Sequence, residues 1–74
     1  MPPVPLVSTR EVIKAFEKIG YETNHQTGSH IILRRREPPH LHLSVPNRRE
    51  LPRGTLRRLI RDAGLTVEEF TKLL

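Results

Sequence analysis

Thr27-Gly28-Ser29-His30-Ile31-Ile32-Leu33-Arg34-Arg35-Arg36 joins a tight turn to an apolar strand that ends in three arginines. Thr27-Gly28-Ser29 has turn chemistry, and His30 to Arg36 reads as a strand because its β-branched and apolar side chains suit a pleated, half-buried surface. Upstream, Tyr21 to Gln26 supplies aromatic, β-branched and polar residues for a second strand. Downstream, Glu37-Pro38-Pro39 stops the pairing, since proline has no ladder donor. His40 to Val45 then alternates, which predicts Leu41, Leu43 and Val45 on one face and His40, His42 and Ser44 on the other. Pro46 closes this strand. Short links on both sides favour an antiparallel meander with one wet face and one packed face.

The flanks of this meander are helical. Ser8-Thr9-Arg10-Glu11 fits a capping box, in which the serine and glutamate side chains each satisfy an orphan backbone donor. Val12, Ile13, Phe16 and Ile19 follow as one apolar stripe, and Gly20 supplies the left-handed residue that ends the helix. Beyond Leu51-Pro52-Arg53-Gly54, Leu56, Leu59, Ile60 and Ala63 form a second stripe, with Arg57, Arg58 and Arg61 on the opposite side. Gly64 stops that helix. Thr66-Val67-Glu68-Glu69 is another capping box, and a last helix is expected through Val67 and Phe70 to Leu73. The fold class is α+β, in the order α-β-β-β-α-α, with helices over one face of a three-stranded antiparallel sheet. Residues 1–74 read as one domain, with residues 1–7, rich in proline, as an extended lead-in.

A chain of 74 residues buries only about 60% of its unfolded surface, so its core is small. It has no cysteine, which excludes a disulfide framework and a thiolate zinc site and suits a reducing cytoplasm. No apolar run approaches the roughly 20 residues of a membrane span, and residues 1–6 lack the regions of a signal peptide. The net charge of +5 is uneven: residues 30–61 hold nine arginines against Glu37 and Glu50, while the segments on either side are balanced or acidic. Such a patch attracts polyanions by neutralising phosphates and releasing their counterions. A solvated basic face, or a contact for an acidic protein, would have the same composition.

Within this setting His30 stands out, because an imidazole both takes and gives a proton near neutral pH. Arginine keeps its charge and binds phosphate in a planar, bidentate way. A proton shuttle among phosphate binders suits an RNA substrate, which carries its own 2′-hydroxyl nucleophile. The plain alternative is an ordinary histidine at a strand end. Gly28, lacking a β-carbon, would let a ribose-phosphate backbone approach closely. Ser29 would donate its hydroxyl to a phosphate or simply complete the turn. Arg34 and Arg36 are expected on the His30 side of the strand, and Arg48, Arg53, Arg57 and Arg58 as further phosphate binders. His40 and His42, two apart and with His30 in reach, are a conceivable zinc ligand set. Neighbouring arginines oppose a cation there, and no metal or other cofactor is expected. The last two helices also have the spacing of a helix-turn-helix, but Glu68 and Glu69 suit a DNA groove poorly.

Gly20-Tyr21, Gly28-Ser29-His30, Val45-Pro46, Leu51, Gly54-Thr55-Leu56, Ala63-Gly64-Leu65 and Glu69-Phe70, in this order and on these elements, resemble the HicA-type toxins. The similarity runs from Ser8 over nearly the whole chain. It implies a fold like that of double-stranded RNA-binding domains and metal-independent cleavage of messenger RNA in the cytoplasm. It also implies a protein partner, a HicB-type antitoxin. On this resemblance His30 takes the place of the catalytic histidine, flanked by Gly28 and Ser29. Many relatives carry a second histidine just after the Val-Pro of the third strand, where this chain has Asn47-Arg48. Arg48 can bind phosphate but cannot exchange a proton. A non-catalytic RNA-binding module of the same fold is the alternative.

Overall fold

The computed structural model describes residues 4–74. The elements are α1 (Thr9–Glu17), β1 (Tyr21–Thr27), β2 (His30–Arg35), β3 (His42–Pro46), α2 (Arg53–Asp62) and α3 (Val67–Thr71). This is the α-β-β-β-α-α order read from the sequence. The sheet runs β1-β2-β3 with both pairs antiparallel. Thr27 pairs with His30, which leaves Gly28 and Ser29 as a two-residue loop. Gly28 has φ of +52° and Ser29 stays at negative φ, the sign pattern of a type II′ turn, whose first central position favours glycine.

Both capping boxes form. The Ser8 hydroxyl accepts the Glu11 N–H at 3.2 Å, and Ser8 N–H donates to the Glu11 carboxylate at 3.0 Å. Thr66 and Glu69 repeat the exchange at 3.1 and 2.9 Å. Each such cap is worth about 1 kcal/mol, which matters most for α3 with its five residues.

Register decides which side chains meet the helices. Leu33 pairs with Leu43 and Ile31 with Val45; Leu33, Leu43 and Val45 are buried. The helices supply Val12, Ala15 and Phe16 from α1, Leu56, Leu59 and Ile60 from α2, and Phe70 from α3. Phe16 is the centre, with ring centroids 5.6 Å from Tyr21 and 5.5 Å from Phe70. Edge-on and tilted aromatic pairs of this kind add about 0.5–1.5 kcal/mol to their area burial. Among the described residues, no helix is long and apolar enough to cross a membrane.

Several boundaries depart from the sequence reading. β3 begins at His42 rather than His40, so Leu41 lies outside the strand and is exposed. Its carbonyl still accepts the Arg35 N–H at 2.8 Å. The alternating pattern extends one step past the residues that the Pro38-Pro39 turn allows to pair. β2 stops at Arg35, and the Arg36 N–H donates to the Gly20 carbonyl at 3.0 Å. α3 ends at Thr71, about one and a half turns in all, too short to serve as a groove-reading helix. Of the expected lead-in, residues 1–3 lie outside the described residues, and Val4 and Val7 are buried in the core. The Leu51 N–H donates to the Val7 carbonyl at 2.8 Å, so this segment is fastened to the stretch before α2.

Candidate active site at one end of the sheet

The type II′ turn sets His30 as the first residue of β2, where strand alternation places it with Ile32 and Arg34 on the face away from the buried Leu33. Its imidazole is exposed, and the Ser29 hydroxyl oxygen lies 3.5 Å from Nδ1, the outer limit of a hydrogen bond. His30 has Thr27 as partner on β1 and Pro46 on β3. Just past Pro46 the Asn47 N–H donates to the Ser29 carbonyl at 2.7 Å. The turn that carries the histidine is therefore tied to the loop that carries Arg48 and Arg49.

That loop is tied in turn to α1. Thr9 N–H donates to the Arg48 carbonyl at 3.0 Å, and Arg48 N–H donates to the Thr9 hydroxyl at 2.8 Å. The same hydroxyl donates to the Pro46 carbonyl. Thr9 is 2% exposed and, with Tyr21, is one of two buried side chains with a hydroxyl among the described residues. Buried polar groups persist when their hydrogen bonds are made, and this one uses both its donor and its acceptor.

The nominated residues fall into groups. Gly28, Ser29, His30 and Arg48 share one end of the sheet. Arg34 is on the His30 face, but it pairs with His42 at the far end of the ladder. Four steps along the strand separate it from His30, about 13 Å at 3.3 Å per residue. Arg36 lies beyond the end of β2. The expectation of guanidinium groups from this run beside His30 is thus corrected by register. Arg53 opens α2. Arg57 and Arg58 are exposed and line a groove of about 630 Å³ between α2 and α3, with Ile60, Leu65 and Val67 as its apolar lining.

The histidines do not converge as the sequence spacing suggested. His42 stands opposite Arg34, at the other end of the ladder from His30. His40 is in the preceding loop, and its Nδ1 donates to the Arg35 carbonyl at 3.1 Å. A fourth, His25, joins the open face unannounced. A bulge between Thr23 and His25 shifts the register so that His25 pairs with Ile32. Simple alternation from the buried Tyr21 would have put it on the packed face. The polar run Glu22 to Gln26 has no apolar rhythm to reveal the extra residue.

Tyr21 is the described residue with a displaced pKa. Burial raises its phenol above the ordinary 10.0; Arg35 opposes this, and Asp62 adds to it. Its hydroxyl finds no hydrogen-bond partner among the described residues.

Comparison with known families bears on what this end of the sheet does. The family model for the HicA toxin of bacterial toxin-antitoxin matches residues 9–65, from the first residue of α1 to the joint between α2 and α3. A search of curated proteins returns no match. The matched span takes in the whole sheet, both long helices and the Gly28-Ser29-His30 turn, well over half of the chain, and the chain therefore belongs to the HicA toxin family of bacterial toxin-antitoxin systems.

Proposed function

We propose that this toxin is a ribonuclease that cuts messenger RNA, with His30 as its proton-transfer group and no metal ion. The observation that carries the reading is an exposed imidazole at the end of the sheet, on a turn hydrogen-bonded to an arginine-bearing loop. RNA supplies the nucleophile. His30 takes the proton of a 2′-hydroxyl, whose oxygen attacks the adjacent phosphorus. The bond to the 5′-oxygen breaks, that oxygen takes a proton from water, and the products are a 2′,3′-cyclic phosphate and a 5′-hydroxyl. Arg48 stabilises the charge that builds on the phosphorane oxygens, the role for which fixed cations are most effective. Gly28 and Ser29 shape the approach to the imidazole, and the remaining arginines hold the backbone without reading its sequence.

Membership in a toxin family supports a protein inhibitor as well, and we assign it to the HicB type. It would cover His30 and oppose carboxylates to the arginine-rich middle of the chain, combining steric block with charge complementarity. The cytoplasm, where messenger RNA is translated, is the corresponding location.

The test uses purified protein and a defined messenger RNA fragment, with products read by mass spectrometry. Wild type yields fragments ending in 2′,3′-cyclic phosphate in the presence of EDTA. His30→Ala lowers the rate by about 10²- to 10⁴-fold, the usual contribution of a positioned proton-transfer group. Equal cleavage by the variant removes His30 from the mechanism. Binding without scission by the wild type identifies the non-catalytic module instead.

A further inference from the structure

We propose that Ser8, Arg10, Asn47, Arg48 and Arg49 form a phosphate subsite that grips the RNA backbone beside the bond presented to His30. The identity of the polymer rests on the ribonuclease reading; the subsite itself rests on what these residues build. Together they line a cavity of about 430 Å³. Three guanidinium groups and two neutral polar side chains surround it, and no apolar side chain does. The core of a typical protein interface is apolar and depleted in charge, whereas a phosphodiester is met by charge and planar donors, which arginine supplies.

Position favours the same ligand. A second cavity of about 350 Å³ shares Arg10 and Asn47 with the first and adds Thr9, Ile13, Lys14, Glu17 and Ile31. The pair runs from Arg49 past Arg10 to Ile31 on the helix side of the sheet, with Arg10, Lys14, Arg48 and Arg49 outnumbering Glu17. Asn47, common to both cavities, donates its N–H to the Ser29 carbonyl beside the imidazole. RNA held there by one phosphate passes round this end of the sheet to meet the imidazole, which projects from the opposite face.

The cluster is preorganised, and among the described residues no carboxylate is paired with its arginines. The two hydrogen bonds between Thr9 and Arg48, one in each direction, fix the backbones from which Arg10 and Arg48 project. The Glu11 carboxylate is turned to the Ser8 N–H at 3.0 Å. Among the described residues no carboxylate forms an ion pair with Arg10, Arg48 or Arg49. Three like charges gathered on one cavity repel one another, and an incoming phosphate relieves that repulsion.

The probe is a short 2′-O-methyl RNA, which has no free nucleophile and is not cut. Its Kd is measured by anisotropy over a range of salt for wild type, His30→Ala and the triple variant Arg10→Gln/Arg48→Gln/Arg49→Gln. All three side chains are exposed, and circular dichroism confirms that the variant folds. His30→Ala should weaken binding far less than the triple variant and leave the salt slope unchanged. The triple variant should bind about 100-fold more weakly, with its log–log salt slope smaller by about 0.7 for each phosphate it no longer neutralises. On cleavable RNA it should raise KM and, through the loss of Arg48, lower kcat, whereas the double variant Arg10→Gln/Arg49→Gln should raise KM more than it lowers kcat.

A triple variant with wild-type Kd and slope overturns the subsite, even if His30-dependent cleavage stands. Conversely, a wild type that binds through these arginines but never cuts leaves the subsite standing and removes the ribonuclease. A poly-glutamate peptide that binds wild type and loses its affinity in the triple variant, while RNA binding is unchanged, makes the cavity a protein contact and overturns the proposal.

Discussion

Thr9 and Arg48, 39 residues apart, hold each other by two hydrogen bonds, backbone to backbone in one direction and backbone to hydroxyl in the other. This link joins the first turn of α1 to the loop after β3, and so sets the distance between Arg10 and the residues around His30. Thr9→Val keeps the shape of the side chain and removes the hydroxyl. The Arg48 N–H then loses its partner in a partly buried place, which costs about 1–3 kcal/mol. Chemical denaturation should show that loss for Thr9→Val, and a much smaller one for Thr9→Ser. Equal stability of wild type and Thr9→Val would mean that the loop holds its place without the hydroxyl.

Gly28 separates backbone need from ligand approach. Its φ is +52°, and a β-carbon built there meets nothing within 4 Å. The cost of Gly28→Ala is therefore conformational, about 1–2 kcal/mol for a side chain in the left-handed region. Asparagine tolerates that region better, so Gly28→Asn should melt closer to wild type than Gly28→Ala. Because the space above the turn is open in the free protein, a drop in cleavage by a well-folded Gly28→Asn would report a clash with RNA. Full cleavage by that variant would confine the glycine to shaping the turn.

Tyr21 carries a buried hydroxyl with no partner among the described residues, so the phenol is a burden that phenylalanine would lift. Tyr21→Phe should leave stability at neutral pH unchanged or raise it by up to about 1–3 kcal/mol, the desolvation cost of an unsatisfied group. Burial holds the proton on Tyr21 more tightly in the folded chain, above the ordinary 10.0. The folded state thus keeps a proton that the unfolded chain releases, and stability from this source is complete below pH 10 and falls as the pH climbs beyond it. Unfolding curves above pH 10 should decline more steeply for wild type than for Tyr21→Phe. A destabilised phenylalanine variant would show that the hydroxyl has a partner in solution.

Local chemistry made much of this molecule legible. Ser8 with Glu11, and Thr66 with Glu69, announce their helices because a capping box involves residues only three apart. The Gly28 turn and the apolar Ile31 to Leu33 run fix the first hairpin for the same reason. Packing between residues far apart in the chain was not legible. Val4 and Val7 read as part of a loose lead-in because nothing near them in sequence shows that the core has room for them. His25 was hidden by a bulge, and Leu41 continued an alternation that its strand does not. Arg34 looked close to His30 because four positions are few in a sequence, while an extended strand separates them by about 13 Å. At the site, the Gly28-Ser29-His30 triplet was readable as a unit. Arg10 and Arg49 were not, since only the packing of α1 against the loop after β3 brings them to it.

The α2 arginines give the last prediction, because they lie in a different setting from the cluster around Arg48. Arg57 and Arg58 line a groove whose other side chains include Ile60, Leu65 and Val67. If RNA extends from the His30 end onto this helix, each arginine that meets a phosphate contributes about 0.7 to the salt slope for a single strand. Arg57→Gln/Arg58→Gln should then weaken binding of the 2′-O-methyl RNA and reduce the slope by about 1.4. Thermal melting of the double variant checks that the helix is intact, and kcat on cleavable RNA should be preserved because neither residue is placed beside the imidazole. A salt slope equal to that of wild type would assign the pair to a solvated face and confine the nucleic-acid interface to the end of the sheet that holds His30, Arg10, Arg48 and Arg49.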